Sequence, residues 1–207
     1  MGTLRNNSVA TVAFAFTVAM TGNAGAADFA APASPLDVYA GVFAGALFAD
    51  RDVTGGPLPP ASYEDTFGTI GGLAGFNLHT GSFFYGLEGD FGFVFGDAGV
   101  PPSICEQQWC DADWKAHIRG RLGVSTGQFD VFVAGGLAIA DLGGTGSSQT
   151  VAGFTVGGGV ESDISESLSA RVEVLYDEFE EDDLSGPGPY QGKWSDIAVR
   201  GALLFKF

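Results

Sequence analysis

From Lys115 to Val124 the chain changes character at every second residue. Lys115, His117, Arg119 and Arg121 take one parity, and Ala116, Ile118, Gly120, Leu122 and Val124 take the other. Side chains of an extended strand point alternately to opposite faces, so this segment reads as a strand with one basic face and one apolar face. The pattern recurs with other charges. Glu88 and Asp90 oppose Tyr85, Leu87, Phe91, Phe93 and Phe95; Glu161 opposes Phe154, Val156 and Val160. Arg171 and Glu173 oppose Val172 and Val174; Arg200 opposes Ile197, Val199, Leu203 and Phe205. Helical periodicity is scarce.

Strands are predicted near 37–49, 67–78, 83–95, 113–125, 129–141, 151–163, 167–179 and 194–207, separated by Gly, Pro, Asn, Asp and Ser. The faces of the first two are ambiguous. Short links (HTGS, TGQ, ISE) alternate strictly with long ones at Asp50–Thr66, Gly96–Ala112, Leu142–Thr150 and Glu180–Lys193. That is the chain path of an up-and-down meander with all tight turns at one end. Eight antiparallel strands of this length, tilted, can close into a barrel and cross a bilayer. Closure matters in lipid because an open edge would strand unpaired backbone groups.

Two arrangements fit the alternation. A soluble secreted barrel that binds an apolar ligand would hide its apolar face; a membrane barrel would hide its charges. Four features favour the membrane form. The charge-bearing face is rich in small residues (Gly86, Gly92, Gly157, Gly159, Ala202), which suits a narrow lumen. It carries five of the nine cations, together with four acids that can neutralise them. Three of the four long links are acidic, whereas the short ones carry a single acid, Glu166. The chain ends on an aromatic, Phe207. The fold class expected is therefore all-β: an eight-stranded antiparallel up-and-down transmembrane β-barrel over 36–207.

An exported chain is expected on separate grounds. Arg5, then the apolar run Val9–Met20, then Ala24-Gly25-Ala26 form a signal peptide over 1–26. The apolar run is too short to span ~30 Å of hydrocarbon as a helix. Residues 27–35, with two prolines, read as a periplasmic lead-in. The formal net charge of −16 argues against a nucleic-acid partner.

Several segments resemble one family, the small alphaproteobacterial outer-membrane proteins with a porin-like, opacity-protein-related β-barrel. Phe84-Tyr85-Gly86-Leu87-Glu88-Gly89-Asp90 is similar to their third-strand FGxEGD segment, and Ile118-Arg119-Gly120-Arg121-Leu122-Gly123 to their RGRLG. Val133–Ala138, Phe154–Glu161, Leu168–Tyr176 and Arg200–Phe207 resemble further family segments in the same order. Strand 1 departs from the family, beginning Leu36-Asp37-Val38-Tyr39 where a Trp-x-Gly-Phe-Tyr start is usual, and the fourth long link is unusually acidic. The resemblance implies a Gram-negative outer-membrane location, with outer-membrane lipid and lipopolysaccharide around the barrel. It also implies recognition of Phe207 as an assembly signal by the barrel assembly machinery.

The candidate site is the barrel-interior charge network of Glu88, Asp90, Lys115, His117, Arg119, Arg121, Glu161, Arg171, Glu173 and Arg200. Charges in low dielectric are costly unless paired, so these ten read as a packed plug, or alternatively as the lining of a small porin. Cys105 and Cys110 are too far apart for a CxxC motif, and export places them in an oxidising compartment, so a disulfide is predicted between them. The acidic run 177–183 lacks the Gly-centred calcium-loop pattern and reads as a solvated loop. Trp109, Trp114, Trp194, Tyr176 and Tyr190 read, for several of them, as interfacial girdle residues. No Ser-His-acid trio is legible. No catalytic, cofactor or metal site is expected; the role expected is structural, in envelope integrity and surface contact. The sequence does not give an oligomeric state.

Overall fold

The computed structural model describes residues 36–55, 61–96, 111–144, 147–184 and 190–207. The signal segment 1–26, the lead-in 27–35 and the Cys105–Cys110 pair lie outside them.

Eight strands form: β1 Leu36–Gly55, β2 Ala61–Thr80, β3 Phe83–Phe95, β4 Asp111–Ser125, β5 Asp130–Gly144, β6 Ser147–Ser165, β7 Leu168–Leu184 and β8 Tyr190–Lys206. Each pairs antiparallel with its chain neighbour, and β1 pairs with β8, closing the barrel. No sheet edge is left open along these strands, as hydrocarbon requires. Among the described residues there is no helix.

The tight turns gather at one end, called here the turn end. Gly81, at φ 62°, takes the first central position of the β2–β3 turn, and Ser82 beside it has negative φ. This is the type II′ pattern, which matches the strand twist and calls for glycine at that position. Gly127, at φ 84°, serves the β4–β5 turn in the same way.

At the far end the strands outrun the sequence expectation. β1 continues to Gly55, β6 begins at Ser147, and β7 runs to Leu184. The 142–150 link, expected to be long, is mostly ladder: β5 and β6 stay in register out to Gly144 and Ser147. The acidic run 177–183 is likewise strand through its length. The physical reason is that hydrogen bonding between strands does not stop where the bilayer stops. Beyond the hydrocarbon an outward side chain can be polar, so the ladder persists while the hydropathy signal reads as loop.

Along most of the wall the apolar side chains face out. Phe91, Ile118, Leu137 and Val172 are all exposed, with Leu137 at 62%, while Arg119 is fully buried. This is the inverse of a water-soluble barrel, and it removes the soluble ligand-binding alternative. The ambiguous strands resolve too. β1 turns Tyr39, Phe43 and Leu47 inward and Val38, Val42 and Phe48 outward; β2 turns Phe67, Leu73 and Asn77 inward and Ile70 and Phe76 outward. Toward the far end the pattern reverts to the ordinary one. Inside, Leu47, Phe67, Leu142, Phe179 and Trp194 form an apolar cluster. Outside, Asp50 and Glu64 are exposed on facing strands.

Candidate functional site: the lumen charge network

All ten of the charged residues singled out in the sequence are buried inside the wall. They come from β3, β4, β6, β7 and β8, and parity along each strand aims them at the axis. The centre of the network is Glu88. Its Oε1 accepts from Arg119 at 2.6 Å, and its Oε2 accepts from Arg171 at 2.6 Å, Tyr39 at 2.8 Å and Arg121 at 3.4 Å. Arg121 also donates to the Tyr39 hydroxyl. Arg119 extends to Asp90 at 2.9 Å and Glu173 at 3.3 Å. Arg200 joins the same two carboxylates from the opposite wall, at 2.7 Å and 2.8 Å. Arg171 closes the turn-end side on Glu161, at 3.0 Å and 3.1 Å.

Arginine suits this role because its planar fork serves two or three carboxylates at once and stays charged when buried. The guanidinium faces that are not hydrogen-bonded lie over rings. Arg121 stands 4.0 Å from the Phe132 centroid and Arg200 4.2 Å from that of Phe43. Such contacts recover part of the desolvation cost, typically ~0.5–2 kcal/mol each.

Three participants were missed in the sequence. Asp177 and Asp196 are buried and both hold Lys115; Asp196 accepts from it at 2.7 Å. Tyr39 is the third. Asp177 stands at the head of an acidic run, and the run masked it, yet it shares the inward parity of Arg171 and Glu173. Asp196 shares the parity of Arg200. His117 lies between the two halves of the network. Its Nδ1 is 2.7 Å from Asp90 and its Nε2 3.0 Å from Asp177. With these additions six carboxylates face five permanent cations and one imidazole.

Trp194 requires a correction. It is not a girdle residue at the membrane surface; it is fully buried in the lumen, donates to Asp196 at 2.8 Å and packs 6.2 Å from the Phe67 ring. Its even position on β8, shared with Asp196 and Arg200, puts it inside. Trp114 does face outward, stacked on Phe91 at 5.6 Å.

Among Phe43, Asp90, Lys115, His117, Asp177 and Arg200 the remaining void is ≈10 Å³. Among the described residues no group of three or more His, Cys, Asp or Glu side chains has metal-binding geometry.

No family model matches the chain. A 22 kDa outer membrane protein of Rhizobium leguminosarum bv. viciae is 28% identical over 152 residues, 70% of each chain. Among solved structures, Neisserial surface protein A is 15% identical with a TM-score of 0.41, matched over 84% of this chain and 98% of that one. The N-terminal β-barrel domain of Pseudomonas aeruginosa OprF is 12% identical with a TM-score of 0.46, over 79% and 97%. The closed barrel, its outward apolar belt and the rhizobial relative agree: the protein is an outer-membrane β-barrel of a Gram-negative envelope.

Proposed function

We propose that this barrel is a structural component of the outer membrane, closed along its axis, that supports the envelope and presents its acidic far end to the outside. The observation that supports this reading is the lack of space: the ≈10 Å³ left beside His117 is about the volume of one water. Ion flow needs a continuous wet path, and aqueous channels generally need about 16 strands. The six carboxylates and their partners would have to part before anything passed. His117 with Asp90 and Asp177 contains the residue types of acid–base chemistry, but Lys115 and Arg200 fill the space around it and no substrate reaches it. The reading therefore assigns no catalytic role, cofactor or metal.

In this orientation the start of β1 and the end of β8 face the periplasm. Phe207 follows the last strand: its backbone N–H donates to the Val38 carbonyl at 3.0 Å, while its ring is 79% exposed and packs edge-on against Phe205 at 5.2 Å. The exposed ring is the feature offered to the assembly machinery. Outer-membrane lipid and lipopolysaccharide surround the belt.

Planar-bilayer recording on folded protein, checked by its shifted mobility on an unboiled gel, tests the proposal. The expected trace is silent. Sustained stepwise conductance would replace this reading with that of a small porin.

A further inference from the structure

The barrel's glycines fall into two groups. Those facing the lumen are required by their surroundings. A Cβ at Gly136 would lie 2.0 Å from the Ile118 carbonyl oxygen, and one at Gly153 2.1 Å from that of Glu178. Several outward glycines are not so constrained, although a Cβ at outward Gly158 would lie 2.7 Å from the Phe132 carbonyl oxygen. A Cβ at Gly72 would meet nothing closer than 3.6 Å, at Gly89 3.8 Å and at Gly201 3.9 Å. Their φ values are also ordinary, since among the described residues positive φ is confined to Gly81, Gly96 and Gly127. Glycine in a strand interior costs roughly 0.5–1 kcal/mol relative to alanine. Where neither sterics nor φ demands it, an interior strand glycine often marks close approach by something outside the wall.

Gly72 and Gly89 share a concavity. Together with Ala74 and Ala116 they floor an outward groove of ≈580 Å³ across β2–β5, walled by Phe91, Ile118, Leu137 and Ile139. Ala74 pairs directly with Gly89, which makes the barest stretch of the floor, while Phe91 rises between Gly72 and Ala116. The volume lies in the range of ligand sites, ~300–1,000 Å³. Every side chain on the outer surface here is apolar, so nothing can recognise a headgroup. The groove is also continuous with the lipid interface that surrounds the barrel, at the height of Asp90 and His117 within it.

We propose that this groove seats one acyl chain of a bilayer phospholipid, held against bare backbone more closely than the annular lipids around it. The occupant follows from the chemistry. The lining offers dispersion contacts only, and hydrocarbon chains are what bathe this depth.

Native mass spectrometry of the folded protein, released from detergent micelles doped with dipalmitoyl phosphatidylethanolamine, reads the seat directly. Wild type is expected to retain one lipid per chain. Gly89→Leu, which fills the floor, should lower the retained fraction at least tenfold. Gly201→Leu makes the same change on β8, outside the groove, and should leave it unchanged. The heat-modifiable gel shift confirms folding of both variants. No retained lipid in wild type, or equal loss in both variants, overturns the proposal. A dimer mass that Gly89→Leu abolishes would overturn it in favour of a second copy of this chain.

Discussion

Two ion pairs of nearly equal length should differ several-fold in worth. Glu88 and Arg119 meet at 2.6 Å with neither side chain exposed. Lys206 and Asp163 meet at 2.5 Å on the turn-end rim, where the Asp163 side chain is 64% exposed. Glu88→Gln keeps the shape and removes the charge that three arginines share. Breaking a buried pair from one side costs ~3–5 kcal/mol because the partner keeps its charge without compensation. Arg119 retains Asp90 and Glu173, and Arg171 retains Glu161. The expected cost is therefore at the low end, about 3 kcal/mol, or roughly a hundredfold in the folding equilibrium. Asp163→Asn, on the exposed side of the pair, loses a solvent-screened interaction worth ~0–1 kcal/mol. Equilibrium urea titration into detergent micelles, followed by gel mobility and tryptophan emission, measures both. If the two variants shift the midpoint alike, or Glu88→Gln costs under about 1 kcal/mol, the lumen is hydrated and the burial argument fails.

Adjacent glycines offer a second contrast. Gly136→Val drives a side chain into the Ile118 carbonyl and should lose at least ~2 kcal/mol or fail to fold; Gly135→Val, one residue earlier, points into lipid with its nearest atom 3.6 Å away and should fold normally on the same gel. Trp194→Ala empties a fully buried site and should cost ~3–5 kcal/mol in the urea titration, against well under 1 kcal/mol if the ring were a surface girdle residue.

The legibility of the sequence followed charge. β3, β4, β6, β7 and β8 each carry an inward ionised side chain within the strand, and a charge identifies its face because only one face can keep it out of hydrocarbon. β1 has no such marker. Tyr39 and Phe43 point inward, Val38 and Val42 outward, and hydropathy cannot tell them apart. The β1–β8 pairing, Gly45 beside Arg200, settles the matter, and that is a contact between chain ends. Parity could have found Asp177 and Asp196, but a dense acidic run looks like solvated loop. Trp194 was misplaced because an aromatic near a strand end suits a girdle and an apolar plug equally well. The far-end strand extensions were unreadable for a different reason, since backbone pairing there no longer depends on what the outward side chains are.

The lumen network joins residues that are distant along the chain. Arg200 reaches Asp90 across 110 positions, and Arg171 reaches Glu88 across 83. Until β7 and β8 arrive, the carboxylates of β3 have only part of their partners and must stay hydrated. The last strands to be synthesised are thus a keystone: their guanidinium groups let the water leave, and the same event zips β8 to β1. An arch built this way cannot stand half-finished: without its last two stones the carboxylates of β3 keep their water.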